Sequence, residues 1–538
     1  MRVRIAVLGV MSLLGVCSVG ADEGHQHGDG EVLGTVTFPV TCASAVQKPF
    51  ERGVALLHSF WYEESEKQFR AVAEKDPACA MAHWGVAMSL YHQLWERPDA
   101  ATLKTGWEEI QKAQALGTRS EREKGYIAAA AAFYADADTK DYLARATTYS
   151  QGMEKVYREN PGDVEAAAFY ALSLLAAEPP KDATFENRKK AIPILNEIFR
   201  KNPRHPGIAH YLIHSCDKPQ LAAMGLAAAR GYGKIASSAP HALHMPSHIF
   251  IRLGLWPEAV QSNLASIAAT KRAAAMHLDG AGHQFHAMDF LQYAYLQMGE
   301  DARARKLLDE VMSMKPPEDH AHAMADHQML AFGRAQFAAR YALERREWKE
   351  AAGLPRVTDA DAEVRTITIY ARGIGAARSG NAAGARKALE EFQATVEEIR
   401  KSSQAYVAEE MDVPAEALEA WVAFAEKDTE KALAKMRAAA DKQTARGLAE
   451  VEVPSREMLA DMLLELKRPK EALAEYEASL KEAPGRFNGL YGAGRAAELS
   501  GESGKAKEFY AQLAKNCEGA GHSDREELRY ARKQAGEK

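Results

Sequence analysis

Nine of the 18 histidines fall within one stretch, at His205, His210, His214, His241, His244, His248, His277, His283 and His286. The stretch reads HPGIAHYLIHSCDKP, then APHALHMPSHIFIRLGLW, then GHQFHAMDFLQYAYLQMG. Neutral imidazole is the commonest metal ligand, and two of them four residues apart on a helix can grip one ion. His210 and His214 have that spacing, and so do His244 and His248. Pro246 stands inside the second pair and disfavours helical geometry at Met245, so a helix start or a kink is expected there. His286 and Asp289 supply a further imidazole and a carboxylate. Imidazole with carboxylate suits zinc, copper or iron, and sulfur from Met245 or Met288 would favour copper. Asp217 follows the His214 helix and reads either as a turn with Lys218 and Pro219 or as a group that supports a ligand.

These residues need elements to position them. From about residue 45 onward nearly every segment is rich in Ala, Leu, Glu and Lys with helical periodicity. FERGVALLHSFWYEESEKQFRAVAEKDP carries small Gly53, aromatic Tyr62, small Ser65, aromatic Phe69 and closing Pro77. KRPKEALAEYEASLKEAP and GESGKAKEFYAQLAKN repeat the pattern late in the chain. This resembles the tetratricopeptide repeat, a helix–turn–helix of 34 residues. The small residue that opens each second helix is placed at Ser65, Ala191, Ala259, Ala304, Ala351, Ala385, Ala432, Ala472 and Ala506. Ala351 to Ala385 and Ala472 to Ala506 are both 34 residues apart, while Ala259 to Ala304 is 45 and implies a longer helix or an inserted turn. Glycine stands five places before the anchor at Gly254, Gly299, Gly380 and Gly501, where a tight turn needs positive φ. The expectation is an all-α superhelical solenoid of helix pairs.

The resemblance implies that the first helix of each repeat lines a concave groove through positions 2, 5, 9, 12 and 13. In that register His241, His244, His248 and Arg252 fall at 2, 5, 9 and 13. His210 and His214 fall at 5 and 9 of the preceding first helix, and His286, Asp289 and Tyr293 at 2, 5 and 9 of the following one. His58 and His92 both fall at 13. Three consecutive first helices thus aim ligand-capable side chains at one place. The phrases PHALHMPSHIFIRLGLW, AHYLIHSCDKP and LLHSFWYEESEKQF are similar to those of exported bacterial tetratricopeptide proteins. That likeness implies the fold and the export, and brings no reaction with it.

Residues 1–21 read as a signal peptide, with Arg2 and Arg4 before an apolar run at 5–16 and a cut after Ala21. A lipoprotein reading through Cys17 is the alternative, with bulky Val16 against it. Residues 22–45 form an amino-terminal arm, 46–330 a histidine-rich array and 331–538 an ordinary carboxyl-terminal array. Cys42 and Cys79 flank the first repeat and are the candidate disulfide, as an exported chain permits. His25 and His27 read as a solvated tail, and the run at 319–327 as solvated too. A net charge of −6 over 538 residues gives no case for nucleic acid, and no later run is long enough to span a membrane. HExxH, CxxC and phosphate-loop motifs are absent, so no catalytic residue is assigned.

The favoured reading is an exported scaffold that binds a protein, peptide or small ligand in a groove lined by His210, His214, His241, His244, His248, Arg252, His286, Asp289 and Tyr293. The alternative is a metal-binding protein or metalloenzyme holding copper, zinc or iron on His210, His214, His244, His248, His286 and Asp289. A third is an adaptor in which each histidine merely fills a polar gap between helices. A metal site predicts three or more imidazole nitrogens within about 2–4 Å of one point. A peptide groove predicts histidines spread along a channel beside Arg252, Tyr293 and Arg334.

Overall fold

The computed structural model describes residues 31–538 except 95–96, 277, 279–280, 316–322, 403–404, 450, 522 and 537–538. Residues 1–21, expected as a signal peptide, lie outside the described residues, as do His25, His27, His277 and residues 319–322 of the run at 319–327. Among the described residues the secondary structure is entirely helical, from Gln47–His58 to Glu526–Ala535, and consecutive helices pack on one another along the chain. The chain is a tetratricopeptide-type solenoid of helix pairs.

Local sequence explains the pairing. Where two helices cross most closely, a glycine meets an aromatic ring. A methyl group added at Gly85 would stand 2.4 Å from the Phe69 ring, and one at Gly492 would stand 2.2 Å from the Tyr476 ring. The turns at Gly254 and Gly299 have φ of +67° and +66°, the left-handed geometry that stops one helix and starts the next. The 45-residue interval is accommodated by length: Trp256–Ala275 is a 20-residue helix. The arm is not a loose tail beyond residue 31. Phe38 is fully buried against Phe50, Trp84 and Tyr126, and Thr35 N donates to the Arg204 carbonyl at 2.9 Å. Cys42 and Cys79 form a disulfide that ties this arm to the first repeat.

One feature was not foreseen from the repeats. The last helices return to the middle of the chain and pack on it. Arg486 is fully buried, donates to Tyr293 Oη at 2.7 Å, and pairs with Glu344 and Glu457 at 2.9 Å each. Trp256 Nε1 donates to the Gly485 carbonyl at 3.0 Å, and Arg525 pairs with Asp301 at 2.6 Å. Breaking a buried pair strands a charge, which costs about 3–5 kcal/mol, so these contacts hold the last helices against the middle of the array. Gly492 offers a direct test of the glycine–aromatic crossings. Alanine gains helix propensity of about 1 kcal/mol but must displace a buried ring. Gly492→Ala should therefore destabilise the protein by about 1–3 kcal/mol in urea unfolding followed by circular dichroism, and an unchanged midpoint would contradict the crossing.

Candidate metal centre

The helix Pro206–Cys216 opens on a proline at its first turn and carries His210 and His214 on one face. The path Pro240–His244 and Pro246–Arg252 carries His241, His244 and His248. Pro246 does not break it: Met245 keeps right-handed helical dihedrals (φ −52°, ψ −35°), Met245 N donates to His241 O at 2.9 Å, and His248 N donates to Met245 O at 3.1 Å. His244 and His248 therefore remain one turn apart. His286 comes from the helix Ala281–Gln297.

The six rings gather into two neighbouring trios. In the first, His210 Nε2 lies 3.0 Å from His214 Nε2 and 3.1 Å from His241 Nε2. In the second, His244 Nε2 lies 3.0 Å from His248 Nε2, with the His286 ring 4.3 Å from that of His244. Each trio presents three ligand atoms within 4.8 Å of one another. Each draws an i, i+4 pair from one helix and a third imidazole from the next first helix. The His214 and His248 rings are 6.3 Å apart, so the trios stand side by side. His214 and His286 are partly exposed, and the other four are buried.

What sits behind the rings fixes their protons. His210 Nδ1 donates to the His58 carbonyl at 2.6 Å, and His248 Nδ1 donates to Asp217 Oδ2 at 2.8 Å. His244 Nδ1 donates at 2.6 Å to Asn263 Oδ1, whose amide is oriented by Nδ2 donating to the Ala259 carbonyl at 2.9 Å. A neutral imidazole has one N–H. With Nδ1 holding it, the Nε2 atoms of His210, His244 and His248 carry lone pairs. In the neutral forms two lone pairs then face each other at 3.0 Å between His244 and His248, an arrangement that a cation held between them would satisfy. In the first trio two neighbours approach one His210 lone pair, which can accept from only one of them. Tetrahedral metal–nitrogen bonds of roughly 2.0–2.1 Å would separate their nitrogens by about 3.3 Å, close to these spacings. The residues present fit a nitrogen-bound transition metal.

A second proton is costly on three of these rings. Burial pushes His210 down to about 3, while burial and neighbouring imidazoles hold His241 and His244 well below the ordinary histidine range. Each trio is also capped by a phenylalanine. Phe60 lies 4.3, 5.4 and 5.6 Å from the His210, His214 and His241 rings, and Phe290 lies 4.8, 4.5 and 5.0 Å from those of His244, His248 and His286. Phe60 has φ +53°, a strained conformation for a bulky residue.

Not every expected residue joins the trios. Asp289 is buried and ion-paired with Arg340 instead. Tyr293 is 2 % exposed and accepts from Arg486, and Arg252 is 5 % exposed and bound to Asp217 and the Leu448 carbonyl. This corrects the expectation of an open groove at Arg252, Asp289 and Tyr293, since the chain's own carboxyl-terminal array fills it there. Met288 Sδ lies 3.8 Å from the Gln284 amide. His205 belongs to a separate buried network, in which His58 and His205 donate to Glu165 at 2.7 and 2.8 Å. Their other nitrogens accept from Tyr211 Oη and Ile208 N, so that network is closed. Burial raises the Glu165 carboxyl, but His205 and His58 outweigh it and hold the group far below the usual range.

Residues overlooked by the sequence reading are Asn263, Phe290 and Phe60. Phe60 had a visible signal, because it stands five places before Ser65 where other repeats have glycine.

The buried neutral imidazoles set a pH dependence for the metal-free protein. The unfolded chain takes up protons near pH 6.5, while the buried rings stay neutral to about 3 for His210 and about 4 for His283. The unfolded state then binds more protons, so stability is fully present above about 6.5 and falls with pH. The urea midpoint should drop steadily between pH 6.5 and 5, less steeply in His210→Asn, and a flat profile would contradict neutral burial.

No known family profile and no curated protein matches this chain. Solved structures do. A tetratricopeptide repeat protein from Parabacteroides merdae shares 15% identity, with 56% of this chain and 99% of that chain covered, at a TM-score of 0.28. Human IFIT1, solved as a dimer with PPP-AAAA, shares 12% over 81% of this chain and 90% of its own, at 0.37. Yeast Tom70 shares 12% over 91% and 96%, at 0.27. These superpositions are loose, and the fold assignment rests on the helix pairing described above.

Proposed function

We propose that this protein is an exported solenoid whose function is to hold two transition-metal ions. One ion sits on His210, His214 and His241, and the other on His244, His248 and His286. The observation that carries the reading is the His244–His248 contact, where two buried nitrogens with Nδ1-fixed protons face each other at 3.0 Å. A metal ion shared by the two nitrogens would be bound by both. Neutral imidazoles alone suit zinc, copper or iron rather than magnesium or calcium, which want oxygen.

Three protein ligands leave a fourth position open, as in metal sites that act on a bound water or small molecule. The partly exposed His214 and His286 leave a side from which such a molecule can approach, while Phe60 and Phe290 exclude bulk water. Export to the periplasm or the cell exterior is part of the proposal. It is supported by the leader-like residues 1–21 and by a Cys42–Cys79 disulfide, which suits an oxidising compartment.

A second reading draws on a cavity of about 440 Å³ between the arrays, lined by Lys218, Arg340, Tyr370, Phe392, Arg446 and Val453 among others. Its volume and mixed lining suit a small organic ligand.

Elemental mass spectrometry of the protein purified from its export compartment tests the metal reading. Two ions per chain are expected, falling to one in His210→Ala/His214→Ala, to one in His244→Ala/His248→Ala, and to none in the quadruple variant. A metal-free protein that takes up no copper, zinc or iron on reconstitution would sink it.

A further inference from the structure

The segment 446–448 of the carboxyl-terminal array lies against the turn that follows the His210–His214 helix. Lys218 Nζ donates to the Arg446 carbonyl at 3.1 Å. Its neighbour Asp217 is gripped from two sides: Oδ1 accepts from Arg252 Nε at 2.9 Å, and Oδ2 accepts from His248 Nδ1 at 2.8 Å. Arg252 spends another N–H, through Nη1, on the Leu448 carbonyl. Asp217, Arg252 and Leu448 are all buried, at 7, 5 and 3 % exposure. A continuous line of hydrogen bonds, two of them to a carboxylate, therefore runs from the carboxyl-terminal array to one imidazole of the second trio. The segment reaches this position through Gly447, whose φ is +76° and where an added Cβ would stand 3.0 Å from Lys218 Cδ.

We infer that Asp217 is the positioning residue of the His244–His248–His286 site, and that the docked segment 446–448 is part of that site. The inference rests on the metal reading above. A carboxylate that accepts Nδ1–H fixes the ring and strengthens Nε2 as a donor to metal. Arg252 holds the other oxygen of Asp217 and steadies it in this pose, and Leu448 holds Arg252 in turn. Binding of the second ion and docking of the array then strengthen each other, because coupling between two equilibria is reciprocal.

Two measurements on the full-length protein test this. The first is stepwise titration of metal-free protein with zinc against a competing chelator. Asp217→Asn should weaken one of the two binding steps by about 10- to 100-fold and leave the other unchanged. Gly447→Ala, which wedges the segment without touching any imidazole, should weaken the same step by a smaller factor. It serves as the second variant should Asp217→Asn not fold. The second measurement is hydrogen–deuterium exchange of peptides from 441–449, which should slow when the ions are bound. Unchanged affinities in a folded Asp217→Asn, equal loss at both steps, or exchange indifferent to zinc would overturn the inference. A wild-type protein that binds no zinc, copper or iron would instead overturn the metal reading beneath it.

Discussion

The structure depends on one electrostatic constraint: imidazole Nε2 atoms are brought within hydrogen-bond distance of one another while three of the rings already have their Nδ1 atoms engaged from behind. The constraint originates behind the rings. A main-chain carbonyl at His58, an amide oxygen at Asn263 and a carboxylate at Asp217 each claim an Nδ1 proton. Burial then makes a second proton costly. His210, His244 and His248 are thereby turned with Nε2 toward points they share with His214, His241 and His286, on three successive first helices.

The solenoid explains why two such points exist. Repeat geometry returns the same register positions to the same face, so the arrangement built by His210, His214 and His241 recurs one repeat later with His244, His248 and His286. The next repeat shows the same logic with another cation. There the equivalent positions hold Asp289 and Tyr293, and they are met by the guanidinium groups of Arg340 and Arg486. Those arginines belong to later parts of the chain, so the third position is a structural joint. The carboxyl-terminal array closes on the middle of the molecule through it, and through the Arg252–Leu448 and Trp256–Gly485 contacts.

Much of this was legible in sequence, for identifiable reasons. Helix pairing follows from the glycine turns and from small residues opposite aromatic ones, both local signals. The convergence of His210, His214, His241, His244, His248 and His286 follows from repeat register, because the repeat fixes which faces meet. What the register could not reveal was any contact between repeats far apart in the chain. Asp289, Tyr293 and Arg252 occupy groove positions in the repeat, yet they are covered by residues about 50 to 200 positions later, and no periodicity encodes that closure. Asn263 escaped notice because a buried asparagine on a second helix has no special spacing. Pro246 suggested a break, but the backbone donors on either side of it find helical acceptors, and the path holds.

The central claim is that nitrogen from these six histidines, and neither sulfur nor side-chain carboxylate, forms the primary coordination of bound metal. X-ray absorption of the metal-loaded protein tests it most directly. Scatterers are expected at about 2.0–2.1 Å with the outer-shell pattern of imidazole, near three per ion. A sulfur shell near 2.3 Å, or a shell of oxygen without imidazole, would contradict it.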